Sequence, residues 1–249
     1  MEDLTSAEIR RQFDELAAGC PGLALSQDAA GAWTVAGALL FRATFQDTTI
    51  EDTFAIKLQL PHDYPAAAPV ARETGGRIPK EFHTNPDGTL CLGTPFEVRM
   101  KFEKEHRLLP FVDNLVIPYL FSFRFWKDHG RMPFGEFSHG GKGILENYQE
   151  LLHVQDRSVV FGLLRLLGEG SYRGHLACPC ESGSKLRDCH GAHLLELKSA
   201  QSPDHFLRDI GSILLSLSKD EFHALNRSAL SLKLLDKVEA ASSSDGPRN

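Results

Sequence analysis

The sequence has no basic excess. Across 249 residues, 27 Lys and Arg stand against 33 Asp and Glu, giving a formal net charge of -6 and a pI near 6.0. A protein that tracks phosphates normally shows the opposite balance, so nucleic acid is a weak candidate partner. The first residues, MEDLTSAEIRRQFDEL, are acidic and amphipathic and lack a basic region followed by an apolar stretch. That pattern predicts a cytoplasmic protein without a secretory signal. No long hydrophobic run is uninterrupted either. The most apolar segment, residues 108–125, contains Asp113, Asn114, Pro118 and Arg124, whereas a bilayer span needs about 20 mostly apolar residues. No membrane segment is expected. Cysteine is scarce and odd in number: Cys20, Cys91 and a tight group of Cys178, Cys180 and Cys189. Without a signal peptide, this distribution points to metal binding or catalysis more than to a disulfide framework. There are no internal repeats, and no Gly-rich dinucleotide-type loop follows a strand, so no adenylating domain is expected.

What is present suits a globular α+β protein. A hydrophobic content of 42% supports a real core. Thr5 and Glu8 have capping-box spacing, and Ile9, Phe13 and Leu16 recur at helical intervals, which predicts an amphipathic helix over residues 5–18. Runs of partial alternation follow at 23–26, 32–45 and 53–60, with a short strand at 70–72, and an antiparallel meander is the simplest arrangement. PHDYPAAAP cannot continue a central strand. From 75 to 100 the Gly, Pro and Asn content excludes long regular elements. Residues 108–127 have helical apolar density, but Pro118 is expected to kink or divide the helix. Helices are expected at 144–153 and 158–168, then a GEGSYRG linker ending at Gly174, two or more helices over 203–238, and a disordered SSSDGPRN tail.

The irregular stretch holds HTNPDGTLCLG, residues 83–93. Asn-Pro-Asp-Gly is a strong turn sequence that can fold His83 back toward Cys91. A thiol becomes a useful nucleophile when its thiolate is stabilised by a base, a positive group or backbone amides. On spacing alone, Cys91 between Leu90 and Leu92 is equally well read as an inert core thiol. A cysteine hydrolase would need a third, orienting Asp or Asn, and none can be assigned.

Taken together, TFAIKLQLP, the YPAAAP segment and DGTLCLGTP resemble the ubiquitin-conjugating enzyme family over roughly residues 1–155. Tyr64, Pro65 and Pro69 match its YP-x-x-x-P motif, and Gly88, Leu90, Cys91 and Leu92 match the neighbourhood of its catalytic cysteine. The family's signature asparagine stands eight residues before that cysteine. Here the position is His83, preceded by Glu81 and Phe82 in place of His and Pro, with Asn85 two residues nearer. In this the chain looks like divergent bacterial conjugating-enzyme-like proteins, as does PFGEFSHGGKGILENYQELL, residues 133–152. Several such proteins resemble components of antiphage systems, including those built around a cGAS-like nucleotidyltransferase. The resemblance implies a UBC-like fold in which a four-stranded meander is flanked by helices. It also implies that Cys91 accepts an acyl group from an activating enzyme acting in trans. The cargo would be the C-terminus of a ubiquitin-like protein or of a cGAS-like nucleotidyltransferase, passed on to an amine. His83 or Asn85 would donate a hydrogen bond to the developing oxyanion, which can contribute roughly 3 kcal/mol. His83 could equally act as a base or brace the flap. Asp87, Glu97, Asp128 and Glu136 are near enough in sequence to assist the attacking amine, and none stands out. The alternative is a binding or adaptor module that keeps this fold without catalysis.

HGGKG, residues 139–143, invites a phosphate-loop reading but fails it: Gly141 occupies the required Lys position and Gly143 replaces Ser or Thr. A structural turn leading into the next helix is expected. CPCESGSKLRDCH, residues 178–190, offers three thiolates and an imidazole, a closed tetrahedral set for a structural zinc with no open coordination position. His193 competes with His190 for the fourth place. The stretch resembles the SEC-C motif, with Glu181 replacing its first Gly and Ser182, Gly183, Lys185, Cys189 and His190 matching. That resemblance implies Cys178, Cys180, Cys189 and His190 as ligands of Zn2+, with protein docking as the role. The expected organisation is a conjugating-enzyme-like domain at 1–155, a helix and linker at 156–174, a zinc motif at 175–195, helices at 196–240 and a disordered tail at 241–249.

Overall fold

The computed structural model describes residues 4–133, 138, 140–225 and 232–243. It is mixed α+β: one four-stranded antiparallel sheet and, among the described residues, nine helices. The chain divides into two compact units, the first of residues 1–93 and 97–136, the second of residues 94–96 and 137–249.

The first unit begins with α1, Leu4–Gly19, which buries Ile9, Gln12 and Leu16. Glu8, the expected partner of a Thr5 cap, accepts bonds from Arg11 and Gln12. The strands β1 (Leu23–Gln27), β2 (Trp33–Phe45), β3 (Thr48–Gln59) and β4 (Val70–Glu73) pair in sequence order as a meander. Alternation puts Val35, Leu39 and Phe41 of β2 and Phe54, Ile56 and Leu58 of β3 on the buried face. β3 begins earlier than its apolar residues suggest, because Gln46, at φ +50, and Asp47 close a two-residue hairpin. Gly22 and Gly37 let β1 and β2 approach closely: a β-carbon on either would collide with a carbonyl of the other strand.

After α2 (Pro95–Lys104), the helix α3 runs from Leu108 to His129. Pro118 neither ends nor divides it. The turn just before the proline, residues 112–116, widens to π geometry, and the Ile117 amide bonds the Val112 carbonyl five residues back. A wider turn absorbs the amide that proline lacks, so of the two expected outcomes, a kink or a division, the division does not occur. By length and composition α3 is the one described helix that could cross a membrane, but 61% of its most apolar window is buried. Its Phe111, Leu115, Tyr119, Leu120 and Phe123 belong to the core that also holds the inner face of the sheet.

The second unit holds α4 (Gly140–Leu152), α5 (Arg157–Gly168), α6 (Gly191–Ala200), α7 (Pro203–Ser216), α8 (Lys219–Ala224) and α9 (Leu232–Ser243). Asp156 caps α5, accepting from the Ser158 and Val159 amides. α4 starts four residues before the expected Ile144, so the glycines of HGGKG lie in its first turn. Gly141 is buried and its backbone lies directly on α7, where a β-carbon would meet the Ser212 carbonyl. The motif is thus a helix-packing device, with His139 outside the described residues. Gly141→Val is expected to destabilise the second unit by roughly 2–4 kcal/mol, measurable by urea denaturation, because the obstacle is backbone and cannot rotate away. On the buried face of α4, Tyr148 is fully buried; its hydroxyl donates to Asp209 at 2.6 Å and accepts from Gln201 at 2.8 Å. Residues 241–243 complete α9, where Ala241 is buried; the rest of the expected disordered tail, 244–249, lies outside the described residues.

Candidate functional sites

The chain from His83 to Cys91 folds as a tight hairpin. Thr84 and Leu90 form an antiparallel bridge, the Asn85 amide bonds the Thr89 carbonyl at 2.8 Å, and the Cys91 amide bonds the His83 carbonyl at 2.8 Å. Gly88, at φ +82, supplies the left-handed residue that the Asn-Pro-Asp-Gly turn needs. His83 and Cys91 therefore stand opposite one another across the hairpin, joined through the main chain. His83 itself has φ +38, rare for a non-glycine residue, and its ring packs edge-on against Phe82 at 5.0 Å between centroids. Asn85 donates its side-chain amide to Thr89 Oγ1 at 2.9 Å. Thr89 in turn donates its hydroxyl and amide to Asp87, and these bonds hold the Asp87 carboxyl below its usual range. Asn85 and Asp87 thus both stabilise the turn.

Behind the hairpin, Tyr64 of the YP segment is buried and donates to Gln12 Oε1. Gln12 Oε1 also accepts from the Leu108 amide at 3.2 Å, tying α1, the YP segment and α3 together. Cys91 is half-buried, with its sulfur 3.9 Å from the Gly93 carbonyl. Burial pushes its thiol above the ordinary value and the Glu97 charge adds to this, while a backbone hydrogen bond with Gly93 acts in the opposite direction. Of the other carboxylates considered, Asp128 pairs with Arg124 at 3.0 Å, and Glu136 lies outside the described residues. A cleft of about 260 Å³ opens beside the hairpin, with His83, Phe82, Trp126 and Arg131 in its lining.

One group was not legible in the sequence. Tyr119, on α3, donates its hydroxyl to the Phe82 carbonyl at 2.9 Å. The Thr84 hydroxyl donates to the same carbonyl at 2.9 Å. A tyrosine 28 positions beyond Cys91 within an apolar helical run carries no local sign of this contact.

In the second unit, Cys178, Cys180, Cys189 and His190 place one ligand atom each within 4.8 Å of one another. His190 Nδ1 lies 3.2 Å from the sulfurs of Cys178 and Cys189, and the Cys180 and Cys189 sulfurs are 3.5 Å apart. Donors tetrahedrally disposed about one zinc stand ~3.3–3.8 Å apart, so the set fits a metal of that size and ligand preference. Local backbone bonds shape the cradle: the Cys178 amide bonds the Ser184 carbonyl at 2.9 Å, and Glu181 (φ +57) and Gly183 (φ +77) turn the loop between them. Burial pushes the Cys178 thiol up to about 11. Burial also opposes ionisation of Cys180, but hydrogen bonds with Ser182 and the neighbouring thiols bring it down to about 7. His193 faces His153 instead, with ring centroids 5.2 Å apart. The cradle does not hang free of the unit: Pro179 packs on Gly162 of α5, and Leu186 and Leu194 are fully buried.

No family model, curated protein or solved structure matches this chain.

Proposed function

We propose that the first unit is a ubiquitin-conjugating-enzyme-like acyl carrier and that Cys91 is its nucleophile. The observation that supports this reading is the hairpin register, which binds the Cys91 amide to the His83 carbonyl and leaves the thiol half-buried on an irregular loop. The meander and the buried Tyr64 of the YP segment agree with it. The Cys91 thiolate attacks the carbonyl carbon of a donor held as a thioester on an activating enzyme. A new C–S bond forms as the donor's C–S bond breaks and the enzyme's thiolate leaves. A lysine amine then attacks; an amide forms, and the Cys91 sulfur leaves and recovers the proton the amine loses. The donor class is the C-terminus of a ubiquitin-like protein or a cGAS-like nucleotidyltransferase, and the setting is antiviral defence; both rest on the family resemblance alone. A raised thiol pKa slows attack on the donor, but it also makes the sulfur a poorer leaving group, so the loaded thioester resists water until an amine is aligned.

The cluster in the second unit takes a structural Zn2+, held by Cys178, Cys180, Cys189 and His190. The ion supplies fixed geometry and folding energy, and the four protein donors leave no position for chemistry. The unit it fastens is the docking element of this reading.

The test is intact mass under non-reducing conditions after co-expression with a donor and an activating enzyme. A protein-sized adduct that thiol removes supports the carrier. The raised Cys91 thiol favours a second reading, a binding module without catalysis. Absence of any adduct, with activation of the donor verified separately, selects that second reading.

A further inference from the structure

We propose that Tyr119 is a positioning residue for Cys91, acting through the Phe82–His83 peptide. This rests on the carrier reading above. The Phe82 carbonyl receives two side-chain donors, Tyr119 from α3 and Thr84 from the hairpin, both at 2.9 Å. Both hydroxyls act on one oxygen, the one immediately before the residue with φ +38. A non-glycine residue in that region is strained and persists only where its surroundings over-determine it. The two bonds fix the orientation of the peptide entering His83, and the His83 carbonyl fixes the Cys91 amide at 2.8 Å.

The supports of this arrangement are themselves rigid. Tyr119 is buried at 7% exposure in the middle of α3, and its ring packs edge-on against Phe82 at 5.7 Å. Phe82 is buried too, against Phe123 and Trp126 of the same helix. Burial raises the phenol's pKa, so it remains a neutral donor across the working range, and Thr84 and the Cys91 thiol are close enough to influence it. A long core helix thus reaches across to set the main chain opposite the thiol. Two layers of packing keep the hydroxyl where the carbonyl needs it. Such positioning is what an aligned attack demands, since a misplacement of about 1 Å can cost around a hundredfold in rate.

Tyr119→Phe removes one donor and keeps the ring. Among the described residues, Glu97 on α2 and Tyr119 interact electrostatically with the thiol, and His83 stands opposite it across the hairpin. The first readout needs no partner: the rate of Cys91 alkylation by iodoacetamide as a function of pH. Released from its fixed peptide, the thiol gains solvent, and alkylation at pH 8 is expected to accelerate about two- to tenfold with its midpoint moved down. The second readout is loading by donor and activating enzyme, expected to slow about tenfold or more. Intrinsic reactivity rising while acyl transfer falls is a signature that loss of stability alone does not produce below the melting temperature. Thr84→Val removes the other donor to the same carbonyl and should move both readouts the same way, so it carries the test if Tyr119→Phe fails to fold. Unchanged alkylation in a folded Tyr119→Phe or Thr84→Val protein overturns the proposal. If wild type never loads while the alkylation profile still shifts, the carrier reading fails and the positioning of Cys91 stands.

Discussion

Stripping the metal from the cysteine cluster with a chelator, or replacing Cys189 by Ser, is expected to lower the melting temperature by about 10 °C or more. The wild-type protein should carry about one zinc per chain, measured by elemental analysis, and the variant little or none. The size of the effect follows from what the cluster fastens. The loop has short backbone bonds of its own, Leu186 to Leu176 at 2.9 Å and Arg187 to Gly174 at 3.0 Å, but few apolar contacts besides Leu186. It is clamped between α5, through Pro179 on Gly162, and the start of α6, where His190 precedes the buried Gly191 and Leu194. Without the ion, three thiols crowd one imidazole within 4.8 Å, and only the weaker hydrogen bonds among them and with Ser182 stand in for the ligand bonds. Acid should act in the same direction. Metal binding requires thiolates, so it lowers the ligands' apparent pKa relative to the unfolded chain. The stabilisation is present above the ordinary thiol range and is lost as pH falls and protons displace the ion. Around pH 8 to 9 Cys180, at about 7, is already ionised, whereas Cys178, at about 11, must release a proton as the metal enters. Zinc uptake there should therefore acidify a weakly buffered solution. A melting temperature indifferent to chelator, in protein without metal, would show the cluster to be only a hydrogen-bonded loop.

The cluster and the meander were readable because their signals are local. Cys-x-Cys and Cys-His fix donors by short spacing, and the turn residues between them need no distant partner. The strands announced themselves by alternation, and Asn-Pro-Asp-Gly specified the hairpin that sets His83 opposite Cys91. What sequence misjudged depended on longer-range or compensating geometry. Pro118 was expected to kink or divide its helix because a regular helix has no place for it, and one π turn absorbs it without a division. The glycines before Ile144 were read as a turn because glycine disfavours helix. Close packing of Gly141 on α7 offsets that preference. The bond from the Asn85 amide to Thr89 inside the turn is a further contact that residue types alone did not announce. Tyr119 gave no sign at all, since its role depends on a contact 37 residues away in the chain.

Replacing Cys91 by Ser should convert a thiol-labile adduct into one that survives reducing agent, and replacing it by Ala should abolish the adduct. An alkoxide is a much poorer leaving group than a thiolate, so the ester is expected to discharge to an amine at least about tenfold more slowly than the thioester. The measurement is intact mass before and after reductant for all three proteins, loaded in parallel by the same donor and activating enzyme. Both variants should melt within about 2 °C of wild type, because Cys91 is only half-buried and its amide bond to His83 survives either change. Zinc content should not change, since the ligands lie in the other compact unit. That combination separates chemistry at Cys91 from stability of the fold. The pH dependence supplies an independent check. Burial and Glu97 hold the Cys91 thiol above its ordinary value, so the thiolate fraction, and with it the loading rate, should still be rising above about pH 9.5, where a free thiol levels off. If loading by an activated donor persists in the Ala variant, the acyl group is carried elsewhere and Cys91 is a buried thiol behind a turn. If it disappears in Ala and becomes reductant-resistant in Ser, the acyl bond is at this residue.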